Sequence, residues 1–362
     1  MNFKKNLIFG VVLVFLFLPQ NYYSQNKICD YCKKEITSGK YLQVEGKYFH
    51  ENHFICSHCS SKINGGYFQH DGKYLHDYCY KNHVLDKCEK CYKPIEGAYV
   101  TSAGKIYHKN CYEKHIALKC NLCDSNIDGN YYKDFWGNIV HWEHLSSSKE
   151  CEYCRRIISS QITNGGKVFT DGRHICNLCG KSSVTTKYKS KQLFDEAKFK
   201  LQLEGIKIGD VEIELHLVNL TELKKIVKDN HKNNVRGYST YNYRKQNGKI
   251  INREFDIYIL NNMPQSYFIK VAAHELMHIW QYLNSPEDNN KTLSEGSCEY
   301  ASYLVVKKYY GKYYDFIKKN FNENEDPVYG GGFKRVKKFV DKNSKRAWLK
   351  LLKSKEDFPR GY

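Results

Sequence analysis

His274-Glu275-Leu276-Met277-His278 sets two histidines four residues apart with a glutamate after the first, and Ser294-Glu295-Gly296 begins sixteen residues beyond the second histidine. Residues four apart on a helix lie one above the other, so His274 and His278 can bind one metal ion while Glu275 points beside it. Two histidines and Glu295 as third ligand leave one coordination position open, as a catalytic zinc requires. The chemistry expected is peptide hydrolysis. Zinc would polarise the scissile carbonyl, and Glu275 would take a proton from the attacking water and pass it to the leaving amine.

The surroundings read as helical. Residues 264–284 carry Phe268, Ala272, Leu276, Ile279 and Leu283 as an apolar stripe, with Pro264 acceptable in the first turn. A polar loop over 284–291 precedes a second expected helix, 293–310, with Cys298, Ala301, Leu304 and Val305 on its buried side. Thr292-Leu293-Ser294-Glu295 also fits a capping box, in which Glu295 would bond its own helix start instead of a metal. Glu299, one turn on, is a competing ligand but suits better the orienting of a zinc-bound histidine, and Cys298 reads as a small core residue. Upstream, the pattern gives a helix over 190–203, an alternating strand over 211–218, a helix over 220–228 and a strand over 250–260. Residues 253–260 are expected to supply the sheet edge along which an extended substrate would lie. An oxyanion donor is needed as well, and Tyr300, Tyr303, Tyr309 and Tyr310 fall on the expected glutamate helix.

The other strong feature is cysteine. Fourteen of the fifteen cysteines lie between Cys29 and Cys179. They form, with histidine, five four-ligand sets: Cys29, Cys32, His50 and His53; Cys56, Cys59, His76 and Cys79; Cys88, Cys91, His108 and Cys111; Cys120, Cys123, His141 and His144; and Cys151, Cys154, Cys176 and Cys179. Each set opens with CxxC and closes after a Gly-containing turn flanked by aromatic residues, so each reads as a zinc knuckle plus hairpin in an internal repeat. A disulfide framework is the competing reading. Six histidines stand at ligand positions with the spacing kept, which tetrahedral zinc accepts and disulfide pairing does not explain. His58, His70, His83, His115 and His174 fall outside the sets.

The run from Tyr48-Phe49-His50 through His53, Cys56 and Cys59 to His76-Asp77-Tyr78-Cys79-Tyr80 resembles a LIM domain, a double zinc finger. Residues from Cys88 to His144 are similar to a second one, but eight residues rather than two separate Cys111 from Cys120. With the HExxH segment and Glu295-Gly296-Ser297-Cys298, the chain resembles the LIM-containing peptidase family that in plants restrains organ growth. The resemblance implies a C-terminal zinc endopeptidase that cleaves regulatory proteins, with His274, Glu275, His278 and Glu295 in the catalytic centre. The ubiquitin-interacting segments of the plant proteins have no counterpart here, so that regulation is not carried over.

The fold expected is therefore α+β: tandem small zinc-binding modules, LIM and LIM-like, followed by a zincin-type, gluzincin-like metallopeptidase domain. The expected segments are 1–25 as a signal peptide, 26–85 as a LIM domain, 86–148 as a LIM-like domain, 149–182 as a fifth zinc module and 183–362 as the peptidase domain. The cofactors expected are one catalytic zinc and about five structural ones. The modules are too poor in apolar residues to fold without metal, whose binding energy is then folding energy.

Lys4 and Lys5 precede an apolar run over residues 7–18, too short to span a bilayer, and polar residues follow. The mature protein is expected to be exported, without a transmembrane anchor. The full chain's net charge of +18, +16 once Lys4 and Lys5 are removed, should attract acidic proteins or surfaces. The lysines are spread along the chain without a concentrated motif, so nucleic acid is not an expected partner; the densest basic segment, 334–355, reads as one amphipathic helix. Three functions follow: an endopeptidase acting on protein or peptide substrates, with zinc modules that recruit or gate; an exported interaction protein whose peptidase domain is inactive or latent; or a peptidase whose zinc modules serve only as a stable spacer.

Overall fold

Cys32, Cys59, Cys91, Cys123 and Cys154 are each followed by a residue in the left-handed region, Lys33, Ser60, Tyr92, Asp124 and Arg155, with φ of 58–59°. A non-glycine residue there costs about 1–2 kcal/mol, so five repetitions need a common cause. In each module this residue's N–H returns to the carbonyl of the first cysteine, at 2.7–3.0 Å, folding CxxC into a knuckle with both sulfurs on one side. All fifteen cysteines are free thiols, and in each of the five sets the four ligand atoms lie within 4.8 Å of one another. The chain is thus a mixed α/β protein that opens with tandem Cys/His zinc-binding modules. The structure is a computed structural model describing residues 27–37, 39–227, 235–247, 249–286, 289–354 and 357–359. The expected signal peptide, 1–25, lies outside the described residues.

The chain divides into two compact units, Met1–Leu118 and Lys119–Tyr362, parting within the long spacer between Cys111 and Cys120. In the first unit each module adds a hairpin to its knuckle: β1 (Tyr41–Val44) with β2 (Lys47–His50), β3 (Tyr67–His70) with β4 (Lys73–His76) and helix α1 (Asp77–His83), then β5 (Tyr99–Ser102) with β6 (Lys105–His108) and helix α2 (Lys109–His115). The turns are two residues long with both φ values positive, Glu45-Gly46, Asp71-Gly72 and Ala103-Gly104, the hairpin turn whose twist matches paired strands. The first two modules share one aromatic core. Phe49, Phe54, Tyr67 and Tyr74 meet with ring centroids 5.1–5.8 Å apart, mostly edge to face.

The second unit begins with two more modules. The fourth holds β7 (Tyr131–Lys133), β8 (Ile139–His141) and α3 (His144–Ser147); the fifth holds α4 (Ser160–Thr163), β9 (Gly166–Val168), β10 (His174–Cys176) and α5 (Asn177–Gly180). Both are built into the rest of the unit. The strand β11 (Ser183–Val184) leads to helix α6 (Lys187–Leu203), strand β12 (Glu214–Val218), helix α7 (Leu220–Val227), strands β13 (Gly237–Gln246), β14 (Lys249–Leu260) and β15 (Met263–Pro264), and helices α8 (Gln265–Asn284), α9 (Lys291–Val306), α10 (Lys312–Glu323), α11 (Tyr329–Lys342) and α12 (Lys345–Lys353). β11 pairs with β15 directly before α8. Arg173 of the fifth module donates to the Asn261 carbonyl and side chain at 2.7 and 2.9 Å, and Trp136 of the fourth packs on Tyr313 and Phe316 of α10.

The three-stranded sheet runs β12-β14-β13, with β12 parallel and β13 antiparallel to β14. Strand alternation sends Phe255, Ile257 and Ile259 into the core. The opposite face carries polar groups, where His216 Nε2 meets Asp256 Oδ1 at 2.9 Å. Most of 253–260 is therefore central rather than an edge, because 256–260 is paired on both sides; β12 and β13 are the outer strands, and β13 packs on α8. The expected strand 211–218 is paired only from Glu214, and the expected helix 293–310 spans Lys291–Val306. Its cap is Asn290, whose side chain accepts from the N–H groups of Thr292 and Leu293, so the Thr292 capping box does not form and Glu295 is free of it. The basic segment 334–355 forms α11 and α12 rather than one helix. They break at Asn343-Ser344, where Ser344 caps α12 by accepting from Ala347 N at 3.0 Å.

Candidate functional site

Helix α8 is held in the core by Phe268, Ala272, Ala273, Leu276 and Ile279, all essentially inaccessible, and its histidines and Glu275 lie on the sides that meet α9 and β13. His274 Nε2 lies 3.3 Å and His278 Nε2 3.4 Å from Glu295 Oε2. Ligands held about 2.05 Å from zinc at the tetrahedral angle stand about 3.3 Å apart, so each histidine stands from Glu295 at the spacing of two ligands on one zinc. The structure brings together the four residues expected from the sequence. Glu275 is 5 % exposed, between these ligands and β13, where a Cβ on Gly237 would lie 2.7 Å from its Oε1.

The hydrogen bonds behind the cluster settle the state of each ring. His274 Nδ1 lies 3.1 Å from Glu299 Oε1, and a carboxylate only accepts, so Nδ1 carries the proton. Lys270 Nζ holds the other oxygen of Glu299 at 3.1 Å. His278 Nδ1 lies 3.1 Å from Gln281 Oε1, which also accepts from the Ser294 hydroxyl at 2.7 Å, while the Gln281 amide donates to the Ser294 carbonyl at 2.9 Å. Both Nε2 atoms are left as lone pairs. They face Glu295 Oε2, a buried oxygen with no hydrogen-bond partner among the described residues. Three lone pairs aimed at one point repel each other unless a cation lies between them, and this donor set suits zinc.

With no cation between them, the same carboxylates favour a second proton on His274 in place of the metal. Burial disfavours a charged His274, but Glu295 and Glu299 outweigh it and raise the imidazole to about 10. Against the same cost of burial, His274 and His278 hold Glu295 well below the carboxylate range, and Lys270 with His274 holds Glu299 at about 2. Glu275 moves the other way, since burial pushes its carboxyl up more than the neighbouring histidines lower it. Cys298 is buried as expected for a core residue, with Sγ 3.4 Å from His278 Nδ1.

The tyrosines expected to supply an oxyanion donor lie elsewhere. Tyr300 packs on Trp348 and Tyr303 on Phe321 and Phe333. Tyr309 donates to Glu196 at 2.6 Å, and Tyr310 is 92 % exposed beyond the helix end. The tyrosines at the site are two that sequence reasoning missed: Tyr282, stacked on His278 with centroids 6.4 Å apart, and Tyr329, stacked on His274 at 6.3 Å. Tyr282 sits four residues after His278 on the same helix, a legible signal. Tyr329 arrives through the packing of α11, and its only sequence sign is the run Gly330-Gly331-Gly332 that follows it.

Three of the five Cys/His sites share one arrangement. His76, His108 and His141 point Nδ1 at the sulfur of Cys59, Cys91 and Cys123, at 3.3–3.5 Å. Their Nε2 atoms meet the carbonyls of Lys62, Pro94 and Asn126, each three residues after that cysteine, at 2.9–3.1 Å. This leaves Nδ1 as the metal-facing lone pair. The fifth site is wholly buried, and Cys179 Sγ contacts the Tyr313 hydroxyl at 2.8 Å.

Residues 29–84 match the LIM domain family. Across most of its length the chain is also similar to three proteins of Arabidopsis thaliana. It is 24% identical to Protein DA1-related 7 over 90% of this chain and 63% of that one, and 23% identical to Protein DA1-related 2 over 78% and 54%. With Protein DA1 it shares 23% identity over 94% and 70%. The chain thus spans less than two thirds of the length of the first two. It carries a LIM domain, and its relatives of low identity are DA1 proteins.

Proposed function

We propose that this protein is a zinc-dependent endopeptidase that cleaves protein substrates, with the N-terminal zinc modules recruiting or gating them. One observation carries the reading: the Nε2 lone pairs of His274 and His278 and the unpartnered Glu295 Oε2 converge on a single point beside the buried carboxyl of Glu275. A zinc ion bound there would polarise a peptide carbonyl and make a water molecule acidic. The chain's own residues do the rest. Glu299 and Gln281 hold the two imidazoles in the tautomer that presents Nε2. Glu275, raised by burial, accepts the water's proton and delivers it to the leaving nitrogen. β13 has no strand on its outer side among the described residues, so an extended substrate would add there through main-chain hydrogen bonds.

The reading includes export, on the pattern of residues 1–25, and an attraction to acidic partners, on a net charge of +18. N-terminal sequencing of the mature protein tests the first, and the salt dependence of cleavage tests the second. The decisive experiment digests a broad peptide mixture with the zinc-loaded protein beside zinc-loaded Glu275→Gln and reads the products by mass spectrometry. Cuts made only by the wild type are expected. Equal product patterns from two fully metallated proteins would refute the reading and leave an interaction protein with an inactive or latent domain.

A further inference from the structure

Tyr329 is the first residue of α11, and the chain fixes its backbone from both sides. Asp326 Oδ1 accepts from the N–H groups of Val328 and Tyr329 at 2.9 and 2.8 Å, and the Asp326 carbonyl accepts from Gly331 N at 2.8 Å. Gly332, one turn on and so on the same face, lies against the backbone of Gly296, the residue after Glu295. That contact brings the Tyr329 ring over His274, with interplanar angle 27°.

The other polar side chains here are spoken for. Glu299 is held by His274 and Lys270, Gln281 by His278 and Ser294, and the Tyr282 hydroxyl donates to the Ser239 carbonyl at 3.3 Å. The Tyr329 hydroxyl makes no hydrogen bond with any described residue, although the side chain is only partly exposed. A rigidly placed donor without a partner, beside a cluster of lone pairs, has the properties of an oxyanion donor.

We propose that Tyr329 is a catalytic residue whose Oη donates a hydrogen bond to the scissile carbonyl oxygen as negative charge develops on it. The phenol keeps its proton throughout, so it adds no covalent step. The proposal deepens the endopeptidase reading and rests on it. It replaces Tyr300, Tyr303 and Tyr309, which are engaged away from the site, and Tyr310, which is exposed beyond the helix end.

The test is Tyr329→Phe, which keeps the ring and removes only the hydroxyl, with exposed Tyr310→Phe as control, each zinc-loaded in the full chain. The expected result for Tyr329→Phe is a fall in kcat of roughly 10²–10³-fold. KM should stay within about threefold and zinc content unchanged, as for loss of an interaction made only in the transition state. A second readout needs no turnover: binding of a peptide phosphonamidate, whose tetrahedral phosphoryl oxygen resembles the oxyanion, should weaken in step with kcat. Tyr310→Phe should match the wild type in both. Affinity and kcat of Tyr329→Phe both within about threefold of wild type would overturn the proposal, as would absence of phosphonamidate binding by the wild type. Should the wild type bind the probe but cut no peptide, the endopeptidase reading fails, and the affinity difference alone still decides whether this hydroxyl meets an oxyanion.

Discussion

Gly296 and Gly332 meet backbone to backbone where α9 crosses α11, and a Cβ on either would overlap the main chain of the other. The crossing sets the distance between Glu295, one residue before Gly296, and Tyr329, one turn before Gly332. Gly296→Ala should therefore destabilise the protein by at least the 1–3 kcal/mol typical of overpacking, since a backbone cannot step aside as a side chain can. Gly331→Ala makes the contrast, because its Cβ would sit 3.6 Å from the nearest atom. There the gain in helix propensity should leave stability unchanged or raise it by up to about 1 kcal/mol. Thermal denaturation of the two variants checks both signs.

Glu299 touches no proposed substrate position, yet it fixes the ring of His274 through Nδ1. Glu299→Ala should weaken zinc binding at this site by roughly 10–100-fold, as loss of a ligand-orienting acceptor does elsewhere. Competition with a chromophoric chelator, read on protein whose structural sites stay filled, measures it. An unchanged affinity would mean that packing alone orients His274.

The fourth and fifth modules are part of the second unit and not appendages to it. Besides the Arg173 and Trp136 contacts, Tyr153 packs on Tyr267 of α8 at 5.3 Å, and Gln265 N donates to the Ser182 carbonyl at 3.0 Å. A fragment of residues 119–362 should fold cooperatively with zinc, whereas 183–362 should aggregate or unfold, because it strips cover from Tyr267, Tyr313 and Phe316. Chelation should likewise unfold 119–362 in part. Near-ultraviolet circular dichroism of both fragments with and without zinc gives the comparison, and a stable 183–362 would contradict it.

Glu204, buried at the end of α6, pairs with Lys308 at 2.8 Å and with Lys345. Burial raises its carboxyl, but the two lysines outweigh this and hold it below the ordinary value of 4.5. The sign follows from linkage: a depressed folded-state pKa gives stability that is present above the unfolded value and lost as pH falls through the folded one. Glu204→Gln should thus lower Tm at pH 7, with a deficit that shrinks once pH drops below about 4.5. A deficit constant from pH 7 to 3 would assign the effect to packing rather than charge.

The sequence by itself determined what local chemistry determines. Ligand spacing identified all five zinc sets, because a CxxC knuckle and a two-residue turn are decided within a few residues of chain. The four-residue spacing of His274 and His278 on a buried helix was equally legible, since helix period alone puts them on one face. What the sequence left open depended on partners distant along the chain. Whether Glu295 served as a cap stayed open in the sequence, and only the fold shows Asn290 capping α9 instead. Residues 253–260 alternate as an edge strand would, but 256–260 is central because β12 and β13 pair on either side, and pairing is not written in one strand's periodicity. Tyr329 reached the site only through the Gly296–Gly332 crossing. Helix packing, and not the sequence around either motif, decides which of thirty-one tyrosines stands beside His274.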